Sequence, residues 1–196
     1  MRMLINLILL AIVAFLVYLL VQSIREPIAF KAVKDAREAA VVDKLMQIRQ
    51  AQEIYRSCND EGSFAGSWDD LKTVLNTGRI PFVKVIGDPD DPNFQGEITY
   101  DTSYVAAADS IRSLGWIIDS LQYIPYSGGK SFDIKADTLS YQKTLVNVVE
   151  VGTSRKSFMG KYASPEYKRY DVAYEPNSVI KFGDMNKPNL SGNWER

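Results

Sequence analysis

The chain has 196 residues, 46% of them hydrophobic, which excludes a wholly disordered polypeptide. Its 23 Lys and Arg against 24 Asp and Glu give a net charge of -1, so no global charge excess points to nucleic acid or to an anionic surface, and no nucleic-acid partner is expected. Histidine is absent and Cys58 is the one cysteine. Ser-His-Asp and Cys-His nucleophilic chemistry, imidazole zinc sites, intramolecular disulfides and multi-cysteine clusters are therefore excluded within this chain.

Residues 3–21 read MLINLILLAIVAFLVYLLV, with Asn6 the only strongly polar member. At about 1.5 Å per residue this run matches a bilayer core and predicts a transmembrane anchor over residues 1–24 that contacts lipid through residues 3–21. A cleaved secretory signal is the competing reading, since Arg2 precedes the run. The run exceeds a usual signal core, however, and no small-x-small site follows it, so an uncleaved anchor is expected. Counted strictly, Arg25, Lys31, Lys34 and Arg37 favour a cytoplasmic C-terminal part. The two-residue tail before the span is typical of signal anchors that leave the N-terminus inside, and the expectation is an exported head on the inner membrane.

Pro27 either opens a second helix at its first position or kinks a continuous one. From residue 28 to about 58 there is neither Gly nor Pro, and Val41, Leu45, Ile48 and Tyr55 recur with Gln52 filling the remaining place, which predicts a long amphipathic helix over residues 25–60 laid against its own domain. Gly62 stops it in a left-handed C-terminal position. Ser67 and Asp70 form a capping box, predicting a short helix from Trp68 to about Leu75 that buries Leu71, Val74 and Leu75.

Residues 61–196 read as an α+β head. Strand character marks residues 81–86, 97–101, 131–136, 144–151, 171–174 and 179–182. Asp109 is expected to cap a third helix carrying Ile111, Leu114, Ile118 and Leu121 as far as Pro125, and Glu175-Pro176-Asn177-Ser178 reads as a hairpin turn. The predicted fold class is thus α+β: a transmembrane helix, a long amphipathic helix, then an antiparallel β-sheet domain with short helices.

The apolar span running into a long helix, the run Ala51-Gln52-Glu53-Ile54-Tyr55, then Gly62-Ser63-Phe64 and Trp68-x-x-Leu71 ahead of a β domain resemble type IV pilins and pseudopilins. The resemblance implies a span that packs in a filament core and a β domain that decorates it. Two features depart from that family: no glycine precedes Gly62, so the prepilin peptidase site is missing, and no acidic residue precedes Glu26, so the glutamate that registers subunits is missing. The chain is also similar to single-pass envelope proteins of Bacteroidetes that carry a Gly-x-Phe-x-x-Ser-Trp/Phe-x-x-Leu pattern. In the same setting, the triplets around Ser110, Ser120 and Thr138 resemble Asp-Ser/Thr-apolar acceptors of periplasmic O-glycosylation, with capping or surface roles as the plainer reading. Asn189-Leu190-Ser191 matches the N-glycosylation triplet.

Four further features bear on function. Gly128-Gly129-Lys130-Ser131 lacks the first glycine and the strand–loop–helix setting of a phosphate-binding loop and reads as a turn. Asp88, Asp90, Asp91 and Asn93 concentrate oxygen ligands that suit calcium, although two prolines interrupt them, the alternating ligand pattern is absent, and an acidic surface turn is the plainer reading. Arg155, Lys156, Lys161, Tyr162, Lys168 and Arg169, with Phe158, Tyr167 and Tyr170 between them, interleave cations with aromatics as a polyanion site would; an exposed hairpin with half-buried tyrosines is the plainer reading. Phe64, Ser67, Trp68 and Asp70 are expected to be structural. The reading at this point is a non-enzymatic, membrane-anchored structural or interaction protein of the envelope, without a cofactor, whose partners are other envelope proteins or itself. The alternative is a tethered binding module for a glycan or other polyanion.

Overall fold

The computed structural model describes residues 2–59, 61–86 and 99–195. One helix, α1 (Arg2–Ser57), runs unbroken for 56 residues with Pro27 inside it, so the apolar run and the amphipathic stretch are one element. Pro27 removes a single intrahelical hydrogen bond and leaves the helix otherwise continuous. The lower part of α1 is not buried by any of the described residues, and its large apolar side chains from Met3 to Ile24 stand exposed. The upper part is the spine of the head and buries Phe30, Val41, Leu45, Ile48, Ala51 and Gln52.

After α1 the chain turns at Gly62 and enters α2 (Trp68–Thr77), which buries Leu71 and Leu75 and leaves Val74 half-buried. Strands β1 (Arg79–Ile86) and β2 (Thr99–Ala106) pair antiparallel as a two-stranded ribbon, Arg79 opposite Ala106 and Ile86 opposite Thr99. The ribbon feeds α3 (Ala107–Ser113), which buries Ala107, Ala108 and Ile111. The predicted third helix is shorter than its apolar spacing suggests. Gly115, at φ +74°, breaks it, Ala106 rather than Asp109 occupies the N-cap, and Ile118 falls in a separate 3₁₀ turn, Ile118–Ser120. Glycine's freedom at positive φ ends the helix where the spacing alone would continue it.

Strands β3 (Asp133–Tyr141), β4 (Thr144–Ser154) and β5 (Val179–Gly183) form a second antiparallel sheet in the order β3-β4-β5. The head therefore carries two small sheets. In the second, Val149, Val151, Ile180 and Phe182 join the α1 stripe, Leu71, Leu75, Ile111, Phe132 and Phe158 in one core. The β3–β4 hairpin closes through Gln142 and Lys143, both at positive φ (48° and 70°), the backbone of a two-residue type I′ turn. Gly183 ends β5 at φ +81°, packed so closely on β4 that an added Cβ would lie 1.9 Å from the Val149 carbonyl oxygen. The outer edge of β5 is covered by the C-terminal segment, with the Asn193 N–H donating to the Lys181 carbonyl at 3.0 Å.

The stretch between β4 and β5 is neither strand nor hairpin. It folds as the 3₁₀ turns Arg155–Ser157, Gly160–Tyr162 and Pro165–Arg169. The strand expected over residues 171–174 is a turn, because the Asp171 carboxylate accepts from the Ala173 N–H at 3.0 Å and bends the backbone locally. Residues 175–178 consequently form a turn leading into β5 rather than a hairpin loop, the Ser178 N–H donating to the Glu175 carbonyl at 3.1 Å.

Candidate functional site

The head grips α1 at two levels. At the upper level, Gln52 is fully buried and exchanges two hydrogen bonds with one backbone unit: its Nε2 donates to the Ala65 carbonyl at 3.0 Å, and its Oε1 accepts from the Ala65 N–H at 2.9 Å. This ties the chain after α1 to the middle of the apolar stripe. Beside it Ser67 caps α2, its Oγ accepting from the Asp70 N–H at 3.2 Å and donating to the Asp70 carboxylate at 2.6 Å. Trp68 is half-buried and donates its indole N–H to the Phe132 carbonyl at 2.9 Å, and Phe64 is buried beneath Arg56.

The lower level lies next to the apolar run. Glu26, Phe30 and Lys34 stand four residues apart on one face of α1. Phe30 is 1% exposed and ringed by tyrosines: stacked on Tyr167 at 5.4 Å, edge-on to Tyr162 at 5.5 Å and Tyr174 at 5.0 Å, and tilted against Tyr170 at 6.1 Å. Polar ties flank it. Tyr170 donates its hydroxyl to Glu26 at 2.7 Å, Arg169 reaches the same carboxylate at 3.5 Å, and Lys34 pairs with Asp171. Higher up, Arg37 donates to the Phe158 carbonyl at 2.6 Å and Arg155 donates to Glu38 at 2.7 Å.

These contacts shift the titrations as expected. The Lys34 ammonium, bonded to Asp171, holds that carboxyl below the usual carboxylate range, and the bond to Glu26 pushes the Tyr170 phenol up. Burial pushes Tyr174 up to about 12, and its hydroxyl donates to the Tyr162 carbonyl at 2.7 Å. Burial also raises the Cys58 thiol, which disfavours the thiolate and suits a packing role.

The interleaved basic and aromatic residues thus fall at this lower level and, for Arg155 and Phe158, just above it. Tyr162 is buried in the core, Arg155 answers Glu38, Lys168 lies 3.8 Å from Glu175, and Arg169 answers Glu26 while covering the Tyr170 ring at 4.6 Å. Lys161 lies over the Tyr162 ring, and Lys156 is exposed. Asp88, Asp90 and Asp91 lie outside the described residues. The three acceptor triplets are scattered: Ser110 is half-buried in α3, Ser120 is half-buried with its hydroxyl donating to the Ile117 carbonyl at 2.8 Å, and Thr138 is exposed on β3.

Local periodicity misses the lower grip. The apolar stripe is visible from Val41 upward, whereas Phe30 sits between a glutamate and a lysine whose partners are more than a hundred residues away. The usable signal is Glu26, Phe30 and Lys34 at i, i+4 and i+8. Between α1 and the turn at Asp171 an open pocket of about 430 Å³ is lined by Pro27, Ile28, Phe30, Lys31, Tyr170 and Asp171. What emerges is an α+β head built directly around the continuation of one apolar helix. Comparison of the chain with protein-family models, curated proteins and solved structures finds no match.

Proposed function

We propose that the chain is a single-pass, membrane-anchored envelope protein of pilin-like layout, whose head acts on the exported side of the inner membrane by contacting partner proteins rather than by catalysis. The observation that carries this reading is the division of α1. Its first turns expose apolar side chains all round, from Met3 at 87% to Ile24 at 54%, while the turns from Phe30 to Gln52 are buried by the head. An apolar surface of that length is untenable in water and suits a bilayer core. Because one helix serves both halves, the head is held rigidly to its anchor.

The anchor is tested by alkaline washing of native membranes and by intact mass. The chain is expected to sediment with the membranes and to retain Arg2; a new N-terminus after Leu20 would make the run a cleaved signal. A C-terminal alkaline phosphatase fusion is expected to be active, and a stable but silent fusion would put the head in the cytoplasm. Co-purification from detergent extracts addresses the partner. An extract that yields no protein partner, while the chain is held by an acidic-glycan column, would favour the polyanion-binding alternative.

A further inference from the structure

We infer that the base of the head is a phospholipid site: the pocket lined by Pro27, Ile28, Phe30, Lys31, Tyr170 and Asp171 takes the phosphate headgroup of a lipid from the bilayer that α1 crosses, with Lys31 facing the phosphate. This rests on the anchor reading above. Distance along the helix comes first. Residue 21 closes the apolar run, and at about 1.5 Å per residue Glu26 stands roughly 7 Å beyond it, Phe30 roughly 13 Å and the Lys31 backbone roughly 15 Å. From there a lysine stem about 6 Å long, pointing toward the helix N-terminus, reaches back to the edge of the headgroups. The polar zone of each leaflet is about 5–8 Å deep. The bonds from Tyr170 and Arg169 to Glu26 therefore fasten the head at the outer edge of the headgroups, with no stalk between.

The side chains around that level have the required chemistry. Ile24 and Ile28, four residues apart and 54% and 65% exposed, carry one apolar face of α1 upward past the end of the run. Lys31 follows on the same side, exposed, with no ion-pair partner among the described residues. An apolar stripe topped by an ammonium matches an acyl chain below and a phosphate above, and a lysine stem lies naturally along such a stripe. Of the acids beside the pocket, Asp171, which lines it, is answered by Lys34 and lies within the field of Lys31 as well, and Glu26 is answered by Arg169 and the Tyr170 hydroxyl. Tyrosine is itself favoured at the interface, where its ring and hydroxyl meet different surroundings.

The test uses the full chain in phosphatidylcholine vesicles doped with a photoactivatable phosphatidylglycerol, with adducts mapped by peptide mass spectrometry. Labelling is expected on peptides containing residues 27–31 and 170–171 as well as on the span. It should fall about fivefold at those peptides in Lys31→Gln, the contribution of one basic side chain near an anionic surface. It should survive in Lys31→Arg and be unchanged in Lys84→Gln on the β1–β2 ribbon, and circular dichroism of the variants confirms the fold. Labelling confined to residues 3–21, equal yields in wild type and Lys31→Gln, or a second protein copy cross-linked at the pocket in place of lipid would overturn the inference. A chain that fails to float with the vesicles refutes the anchor reading itself, which is a separate result.

Discussion

Gln52 offers the sharpest test of how the head is held on its helix. It is the one polar residue on the apolar stripe of α1, it is 0% exposed, and both ends of its amide are used on Ala65. Gln52→Leu keeps the volume and leaves a buried N–H and a buried C=O without partners. At about 1–3 kcal/mol for each orphaned group, less what local opening to water recovers, the expected loss is about 2–4 kcal/mol. Gln52→Ala adds the transfer of the missing methylene, about 1 kcal/mol more. Gln52→Glu separates bonding from packing. Its carboxyl would be buried and would face the Ala65 carbonyl, so its folded pKa lies above the unfolded value of about 4.3. The stability of that variant is then fully present below the unfolded value and is lost as pH rises through the folded one. Denaturant unfolding of the full chain in mild non-ionic detergent, followed by Trp fluorescence, reads all three. A Gln52→Leu midpoint equal to or above wild type would show that the stripe needs only an apolar filler there, and the proposed tie would fall.

Three further outcomes are expected. Ser67→Ala should cost about 0.5–2 kcal/mol through the lost cap of α2, whereas Trp68→Ala, which also forfeits the bond to Phe132, should cost about 3–5 kcal/mol; the same unfolding curves rank them. Replacing Gln142-Lys143 by Asn-Gly should raise stability by about 1 kcal/mol, since both residues sit at positive φ, and an unchanged melting temperature would deny strain at that turn. Tyr174 titrates at about 12 in the fold against about 10 in the unfolded chain. Its contribution to stability is therefore whole below pH 10 and lost as pH rises toward 12, and Tyr174→Phe should flatten that alkaline loss in thermal melts.

The elements that could be read locally were those whose reasons are local. The apolar run, the stripe from Val41 to Ile48, the Ser67–Asp70 box and the β-branched stretch of β4 each carry their own periodicity or cap, and each lies close to its expected place. The third helix went astray because its spacing outweighed Gly115, whose positive φ ends it. Residues 171–174 alternate like a strand, but the Asp171 side chain serves its own backbone and Lys34, and a turn results. The lower grip was hidden for a different reason. Phe30, Glu26 and Lys34 find their partners at Tyr162, Tyr167, Tyr170 and Asp171, and nothing within a dozen residues of Phe30 announces an aromatic nest. The basic and aromatic segment was conspicuous in sequence, yet two of its five cations, Arg155 and Arg169, proved to be the head's half of that grip.

This reassignment changes what the segment means physically. An ion pair competes with an anion from solution, and here Arg155, Lys168 and Arg169 are set against Glu38, Glu175 and Glu26, while Lys156 and Lys161 have no ion-pair partner among the described residues. Exposed pairs such as that of Arg169 contribute at most about 1 kcal/mol, so they orient the base rather than hold it. The burial of Phe30 among four rings supplies the holding energy. The two grips, at Phe30 and Gln52, lie roughly 33 Å apart along a single helix. Two separated fixings on one rod prevent the head from swivelling about either, so on the proposed anchor reading any tilt of the helix in a bilayer becomes the tilt of the head. If the head meets partners as proposed, that geometry serves it, because the exposed β1–β2 ribbon, with Phe82, Tyr100 and Tyr104 uncovered, is then presented in a fixed direction instead of being swept through all of them.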